Sequence, residues 1–331
     1  MPSIASDDIR ATFLRELWDT TRMRLLVEIG RRGSLSGAAD AIGIGQPSAS
    51  QHLKLLETAA GQRLVERSRR GSRLTEAGEI LASHASRALA ALSSAEEELG
   101  ALSGLQTGTI HLGASTVPGV YLLPETLGCF RRDFPAVVVE VEIASSDEIL
   151  HRLRTGRVRL ALVGAPAAEG VELRPLIDDE LVGVARPGTL PLEDGVVAPS
   201  ALESHLLLSR EPGSASQSLV DSTLARAGIR FAGRMELGAS EAIKRVVREG
   251  LGVALLSRFA VAEEVERGEL ERFRIAGVPP ITRPLSVATA AGRELSPAES
   301  TFVGTLTRCC ATSTSFADAC VGPVPDNPGS R

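Results

Sequence analysis

Residues 34–57 read SLSGAADAIGIGQPSASQHLKLLE, and the way this stretch folds decides what the remainder of the chain is for. Its first half opens on Ser34, a residue type whose hydroxyl caps helix starts, and sets Ala38, Ala39 and Ile42 on one helical face. Small residues on that face let a second helix approach closely. Gly43-Ile44-Gly45 makes a turn, and Gln46-Pro47 opens the second helix, with Pro in the first turn where its missing N–H costs nothing. Ala49, Leu53 and Leu56 form the inward stripe of that helix. The spacing predicts a helix-turn-helix whose second helix presents Gln46, Ser48, Ser50, Gln51 and Lys54 outward. Those side chains suit base edges and phosphates in a major groove. A plain helical hairpin with solvated polar residues would carry the same pattern.

The next stretch separates the two readings. Residues 61–79, GQRLVERSRRGSRLTEAGE, place two short runs around a turn from Arg69 to Ser72, the pattern of a two-stranded wing. Between Gly61 and Thr75 there are five basic residues (Arg63, Arg67, Arg69, Arg70, Arg73) and one acid, Glu66. Arg67, Arg69 and Arg70 at the wing tip are the expected phosphate contacts, since clustered guanidiniums beside a reading helix favour the backbone of duplex DNA. The same asymmetry marks the whole chain. Residues 1–75 hold twelve Lys and Arg against eight Asp and Glu, whereas the full sequence of 331 residues carries a formal charge of −5. A basic head on an acidic body fits a chain that meets nucleic acid at one end only.

The length predicts two or three domains, and 43% hydrophobic residues suffice for globular cores. The first twenty residues lack the pattern of a secretory signal, and no apolar run reaches membrane-spanning length, so a cytoplasmic protein with no membrane partner is expected. Ile9, Phe13, Leu14, Leu17 and Trp18 recur at helical spacing and predict an amphipathic N-terminal extension. The four cysteines (Cys129, Cys309, Cys310, Cys320) form no C-x-x-C and have no His at ligand spacing. Neither a metal site, a disulfide framework nor a thiol sensor is indicated, and no cofactor is expected. The five histidines stand in unrelated contexts, and there is no G-x-S-x-G, no H-E-x-x-H and no phosphate-cradling Gly-rich loop with Lys. The chain does not read as an enzyme.

From Thr75 to Leu102 the pattern is that of one long helix, with Ile80, Leu81, His84, Leu89, Leu92 and Leu99 along an Ala-rich seam. Such a seam predicts pairing with the same helix of a second subunit. Beyond the linker at Gly100–Gly108, short strands and helices alternate. TIHLGAS is a strand ending at Ser115-Thr116, residues 122–134 are a helix, VVVEVEIASS is a strand, residues 147–155 are a helix, and VRLALVG is a buried strand. This β-α-β-α-β run implies an open α/β sheet, whose ligands sit beyond the carboxyl ends of the strands. Ser115, Thr116, Ser145, Ser146 and Gly164 stand at those ends, and Ser214 and Ser216 in REPGSAS open a later helix. These seven are the expected effector-binding residues. Helix capping is the competing role for each hydroxyl, and one hydroxyl can serve both.

The stretches GSLSGAADAIGIGQPSASQHLKLLE, RLVERSRRGSRLTEAGE, REPGSAS, GASEAIKRVVREGLGVALLS, VERGEL and RPLSVATA together resemble the LysR-type transcriptional regulators over residues 22–310. The resemblance implies an α/β protein. A mainly α winged helix-turn-helix domain with its N-terminal extension occupies 1–75, a linker and dimerisation helix 76–104, and a two-lobed α/β effector domain, like a periplasmic binding protein, 105–310. Lobe I would take 109–165 and 276–310, lobe II 166–275, and 311–331 would be a disordered tail. The implied partners are a pseudo-palindromic double-stranded operator, a small-molecule effector, a second copy of the chain in a dimer or tetramer, and RNA polymerase. Three positions depart from the family pattern. Val65 replaces an aromatic residue before the Glu-Arg pair, Arg159 stands where Asp is frequent, and Gln217 stands where the REPGS turn often has Arg. The last weakens the expectation of an anionic inducer. Alternative functions are a ligand-independent architectural DNA binder and a cytoplasmic small-molecule-binding protein.

Overall fold

The computed structural model describes residues 19–68, 71–102, 108–166, 168–211 and 213–312. The predicted N-terminal extension and, apart from Ala311 and Thr312, the predicted tail lie outside them. The chain forms two compact units, one holding the described residues up to Gly108 together with His151–Arg159, the other Thr109–Leu150 and the residues from Leu160 onward.

The first unit is built on three helices: α1 (Thr20–Arg32), α2 (Leu35–Ala41) and α3 (Gln46–Ala60). The hydroxyl of Ser34 caps α2 by accepting the N–H of Gly37 at 3.1 Å. Gly43, at φ +71°, makes the turn that only a residue without Cβ adopts freely. Ala38, Ala39 and Ala49 are fully buried in one core with Leu25, Leu26 and Ile29 of α1. Burying each of these large side chains contributes about 1.5–3 kcal/mol. The wing follows as an antiparallel pair, β1 (Val65–Ser68) and β2 (Gly71–Leu74). The turn is shorter than the sequence predicts, because Gly71 and Ser72 already pair with Ser68 and Arg67. The reason is a tether: Ser72 N–H donates to the carbonyl of Gly33, at the C-terminus of α1, at 2.7 Å. Gly71 itself lies so close to that carbonyl that a Cβ would collide with it. The long helix α4 (Glu76–Leu102) is capped by Thr75, whose Oγ1 accepts the N–H of Gly78 at 3.0 Å and donates to the carbonyl of Arg63 at 2.8 Å. Ile80, Leu92 and Leu99 along it are exposed by 58%, 51% and 66%, an apolar seam that the single chain does not cover.

The second unit carries one mixed sheet in the order β4-β3-β5-β12-β6-β10-β8-β9, with β11 beside β6 and β7 beside β11. In its first lobe, β3 (Gly108–Ser115), β4 (Val137–Ala144) and β5 (Leu160–Val163) alternate with α5 (Leu123–Asp133) and α6 (Ser146–Arg154). A π-helical turn at Pro118–Leu122 leads into α5. Phe130 of α5 meets Phe302 of α10 (Pro297–Thr312) edge-on at 5.1 Å between ring centres, both rings fully buried. In the second lobe, β8 (Leu206–Ser209), α7 (Ala215–Arg226), β9 (Gly233–Glu236), α8 (Ser240–Arg248), β10 (Val253–Ser257) and α9 (Arg258–Glu266) alternate in the same manner. β8 runs parallel to both β9 and β10, and every residue of β10 is buried, as expected for a central strand covered on both faces. The edge pieces are β7 (Val196–Val197) and β11 (Glu271–Ile275). Between the lobes run two long strands, β6 (Val171–Ala185) and β12 (Ile281–Ala290), paired antiparallel along the full length of β12 with one register shift between Leu285 and Ser286. Among the described residues no helix is long and apolar enough to cross a membrane.

Candidate functional site

Each unit has a face that chemistry can use. In the first, Ala49, Leu53 and Leu56 lock α3 onto the core, which leaves Gln46, Gln51 and Lys54 exposed and Ser48 and Ser50 half-buried beside them. All five predicted readers therefore stand on or beside the free face of one helix. Glu57, which the sequence reading passed over, ties that helix to the wing: its Oε1 accepts the N–H groups of Leu64 at 2.9 Å and Val65 at 3.2 Å. Val65, the first residue of β1, is buried. Arg67 lies on β1 opposite Ser72, while Arg69 and Arg70 fall outside the described residues.

In the second unit a cleft opens at the carboxyl ends of the strands. Ser115, Thr116, Ser145, Ser146, Ser214 and Ser216, six of the seven predicted effector residues, line it together. Gly164 does not line it, but its carbonyl accepts from Arg283 Nη1 at 3.1 Å, and a Cβ there would strike the guanidinium. The capping bonds of these hydroxyls differ from residue to residue. Ser145 caps α6, accepting the N–H of Glu148 at 3.3 Å. Ser214 makes no side-chain cap to α7, and its hydroxyl instead lies 3.0 Å from that of Ser216.

Three charged residues complete the cleft, and the sequence reading did not select them: Arg210, Glu211 and Arg283. Arg210 follows β8 directly and is 7% exposed. Its Nε and Nη2 donate to the two carboxylate oxygens of Glu211 at 2.8 and 2.7 Å, and its Nη1 donates to Ser240 Oγ at 3.1 Å. Burial alone would raise the Glu211 pKa; the Arg210 fork outweighs it and holds the carboxyl below its ordinary value. Arg283 on β12 reaches Asp179 on β6, directly opposite in register, through Nε at 3.1 Å and Nη2 at 3.0 Å. Asp179 is fully buried and also accepts from Ser257 Oγ at 2.7 Å. Burial pushes this carboxyl up against the pull of Arg283 and Ser257. Gln217, the residue standing in for an expected Arg, is structural: its Oε1 accepts the backbone N–H of Arg210 at 2.9 Å and its Nε2 donates to Asp221 at 2.8 Å. The cleft thus keeps two guanidiniums despite that replacement. Nearby, Tyr121 in the π-helical turn donates to Glu241 of α8 at 2.7 Å, and Lys244, 5.5 Å above its ring, bridges Glu241 at 2.7 Å and Glu264 at 2.8 Å. Burial and then the Glu241 acceptor raise the Tyr121 phenol well above its usual value.

Among the described residues no group of three or more His, Cys, Asp or Glu is placed to hold a metal. Arg159, the other departure from the family pattern, is buried. The thiols of Cys309 and Cys310 are both raised, chiefly by burial, the latter to about 11.

Residues 20–79 match the family model described as the bacterial regulatory helix-turn-helix protein of the lysR family, and residues 103–311 match the LysR substrate binding domain. A probable RuBisCO transcriptional regulator of Cyanidium caldarium is 32% identical over 288 residues, 85% of this chain and 90% of that protein. Among solved structures, a full-length OxyR from Pseudomonas aeruginosa has a similar fold (TM-score 0.70, 21% identity, 90% of this chain and 96% of that one). The regulatory domain of Synechocystis CcmR in complex with 2-PG is 30% identical, with a TM-score of 0.56 over 61% of this chain and 97% of that one.

Proposed function

Because the chain belongs to the LysR family of transcriptional regulators, which are not enzymes, we propose that its α3 residues read an operator and its cleft senses a small organic anion. The chain is a DNA-binding transcriptional regulator, a helix-turn-helix head with a two-lobed α/β domain that binds a small effector. The residue assignments are our reading. Gln46, Ser48, Ser50, Gln51 and Lys54 contact base edges and nearby phosphates, and Arg67, Arg69 and Arg70 hold the backbone through the wing. Ser115, Thr116, Ser145, Ser146, Ser214 and Ser216, with Gly164 behind Arg283, bind the effector. The observation that carries the DNA assignment is the exposure of Gln46, Gln51 and Lys54 on the one face of α3 that the core leaves free. For the effector it is the meeting of two guanidiniums and six hydroxyls in one cleft, and the similar CcmR regulatory domain is solved in complex with 2-PG.

The exposed Ile80, Leu92 and Leu99 of α4 favour pairing with a second copy of the chain. A dimer, or a tetramer of two dimers, reading a pseudo-palindromic site in the cytoplasm and acting on RNA polymerase is the resulting picture. We assign 1–75 to the head, 76–104 to the linker helix and 105–310 to the effector domain, with lobe I at 109–165 and 276–310 and lobe II at 166–275. The test is a footprint of the purified protein on its own upstream DNA as a salt series, with Gln51→Ala and Arg67→Ala beside the wild type. Gln51→Ala is expected to lose about 1–3 kcal/mol of sequence discrimination. Arg67→Ala is expected to weaken all DNA alike and to reduce the salt slope by about 1. Equal binding of wild type to upstream and random DNA at moderate salt would overturn the operator assignment.

A further inference from the structure

The cleft contains its own anion. Arg210 is fixed from behind by Ser240 and at its backbone by Gln217, and its guanidinium is almost wholly shielded. Glu211 is the opposite: its side chain is one-third exposed and lines the cavity, yet both of its oxygens are spent on the Arg210 fork. A planar guanidinium binds a carboxylate or a phosphate through the same two N–H bonds. Whatever oxyanion enters this cleft to engage Arg210 must first remove the one already there. The second guanidinium offers no such exchange, because the partner of Arg283 is Asp179, fully buried and held by Ser257.

We propose that Glu211 is a resident stand-in for the effector's anionic group, holding Arg210 until a compact carboxylate- or phosphate-bearing ligand displaces it and turns it out to solvent. This rests on the reading of the cleft as the effector site and deepens it in two ways. Neutral and cationic ligands cannot make the exchange, so the class is a small oxyanion. The tethered carboxylate also competes at a high local concentration, so the cleft answers only to an anion that gains further bonds, from the hydroxyls of Ser115, Ser146 and Ser214, that Glu211 does not make. Specificity then comes from what surrounds the fork and not from the fork itself.

The experiment is calorimetric titration of the full chain, as wild type, Glu211→Gln and Glu211→Asp, with 2-PG, inorganic phosphate, malonate and the neutral glycolamide, with melting curves alongside. Glu211→Gln is expected to bind at least one of the three anions about tenfold more tightly than wild type, with Glu211→Asp between them and glycolamide bound by none. Malonate against phosphate tells which headgroup the hydroxyls select. Without ligand Glu211→Gln should melt below wild type, since Arg210 has lost its partner, and saturating anion should close that gap, a rescue that a purely structural glutamate would not show. Equal or weaker anion binding by Glu211→Gln overturns the proposal, as does binding of glycolamide comparable to that of the anions. So does an absence of binding by all four probes to every variant. In each of these cases an operator footprint that still responds to some other metabolite keeps the effector reading intact, whereas a footprint that responds to none removes both.

Discussion

Gly78 shows how much a single residue can decide. It sits in the first turn of α4, where a Cβ would run into the backbone carbonyl of Leu64 and crowd Leu74. Gly78→Ala is therefore expected to destabilise the first unit by about 1–3 kcal/mol, against the usual preference of helices for Ala, and chemical denaturation checks it. The sequence presents Gly78 only as part of a cap motif; the close approach comes from a residue fourteen positions earlier. The same limit governs the cleft. Its hydroxyls were legible because Ser and Thr after a strand are a local signal. Arg283 was not, because it meets Gly164 across 119 positions, and the stretch RPLSVATA that it opens stands out only by family resemblance. Arg210 and Glu211 lie within a motif that was read for its serines. At neutral pH the raised thiols of Cys309 and Cys310 are expected to react with iodoacetamide far more slowly than free cysteine, with mass spectrometry of the alkylated peptides as the measure.

At the scale of elements the sequence was most informative, since apolar period and cap chemistry are written into consecutive residues. α2, α3, the first strand of the wing, α4 and the first three strands of the effector domain stand within about two residues of where the pattern places them. α5 starts one residue later than the pattern predicts, because the π-helical turn at Pro118–Leu122 precedes it. The second wing strand starts earlier than the pattern predicts, because the tether from Ser72 to Gly33 joins segments that no local window includes. One inter-element tie gives a pH prediction. Asp221 on α7 accepts from Arg234 on β9 and from Gln217, and these bonds, led by that with Arg234, hold its carboxyl below the ordinary value. A depressed carboxyl contributes stability above its unfolded pKa and loses it as pH falls through the folded one. The melting temperature of wild type should exceed that of Asp221→Asn by a constant margin near neutrality, and the margin should shrink only as the pH drops below about 4.

The molecule as a whole is organised by pairs of residues that sequence distance hides. Two lobes were legible from two strand-helix alternations, but not the way β6 and β12 place Asp179 and Arg283 opposite one another between them. Asp179→Ala leaves a guanidinium that is 10% exposed without its carboxylate, and an orphaned buried charge costs about 3–5 kcal/mol. The second unit is expected to lose that much in denaturant titration, and Asp179→Asn, which keeps the shape and part of the hydrogen bonding, is expected to lose less. β6 and β12 have one more consequence. A ladder of two hydrogen-bonded strands resists stretching and shear but yields readily to torsion, and the register shift at Leu285 and Ser286 is a point of weakened pairing along it. Twist of one lobe against the other is carried in part by this ribbon, whose joint lies two residues from Arg283. The angle the ribbon can transmit is set by how far two strands can be wound before their ladder opens.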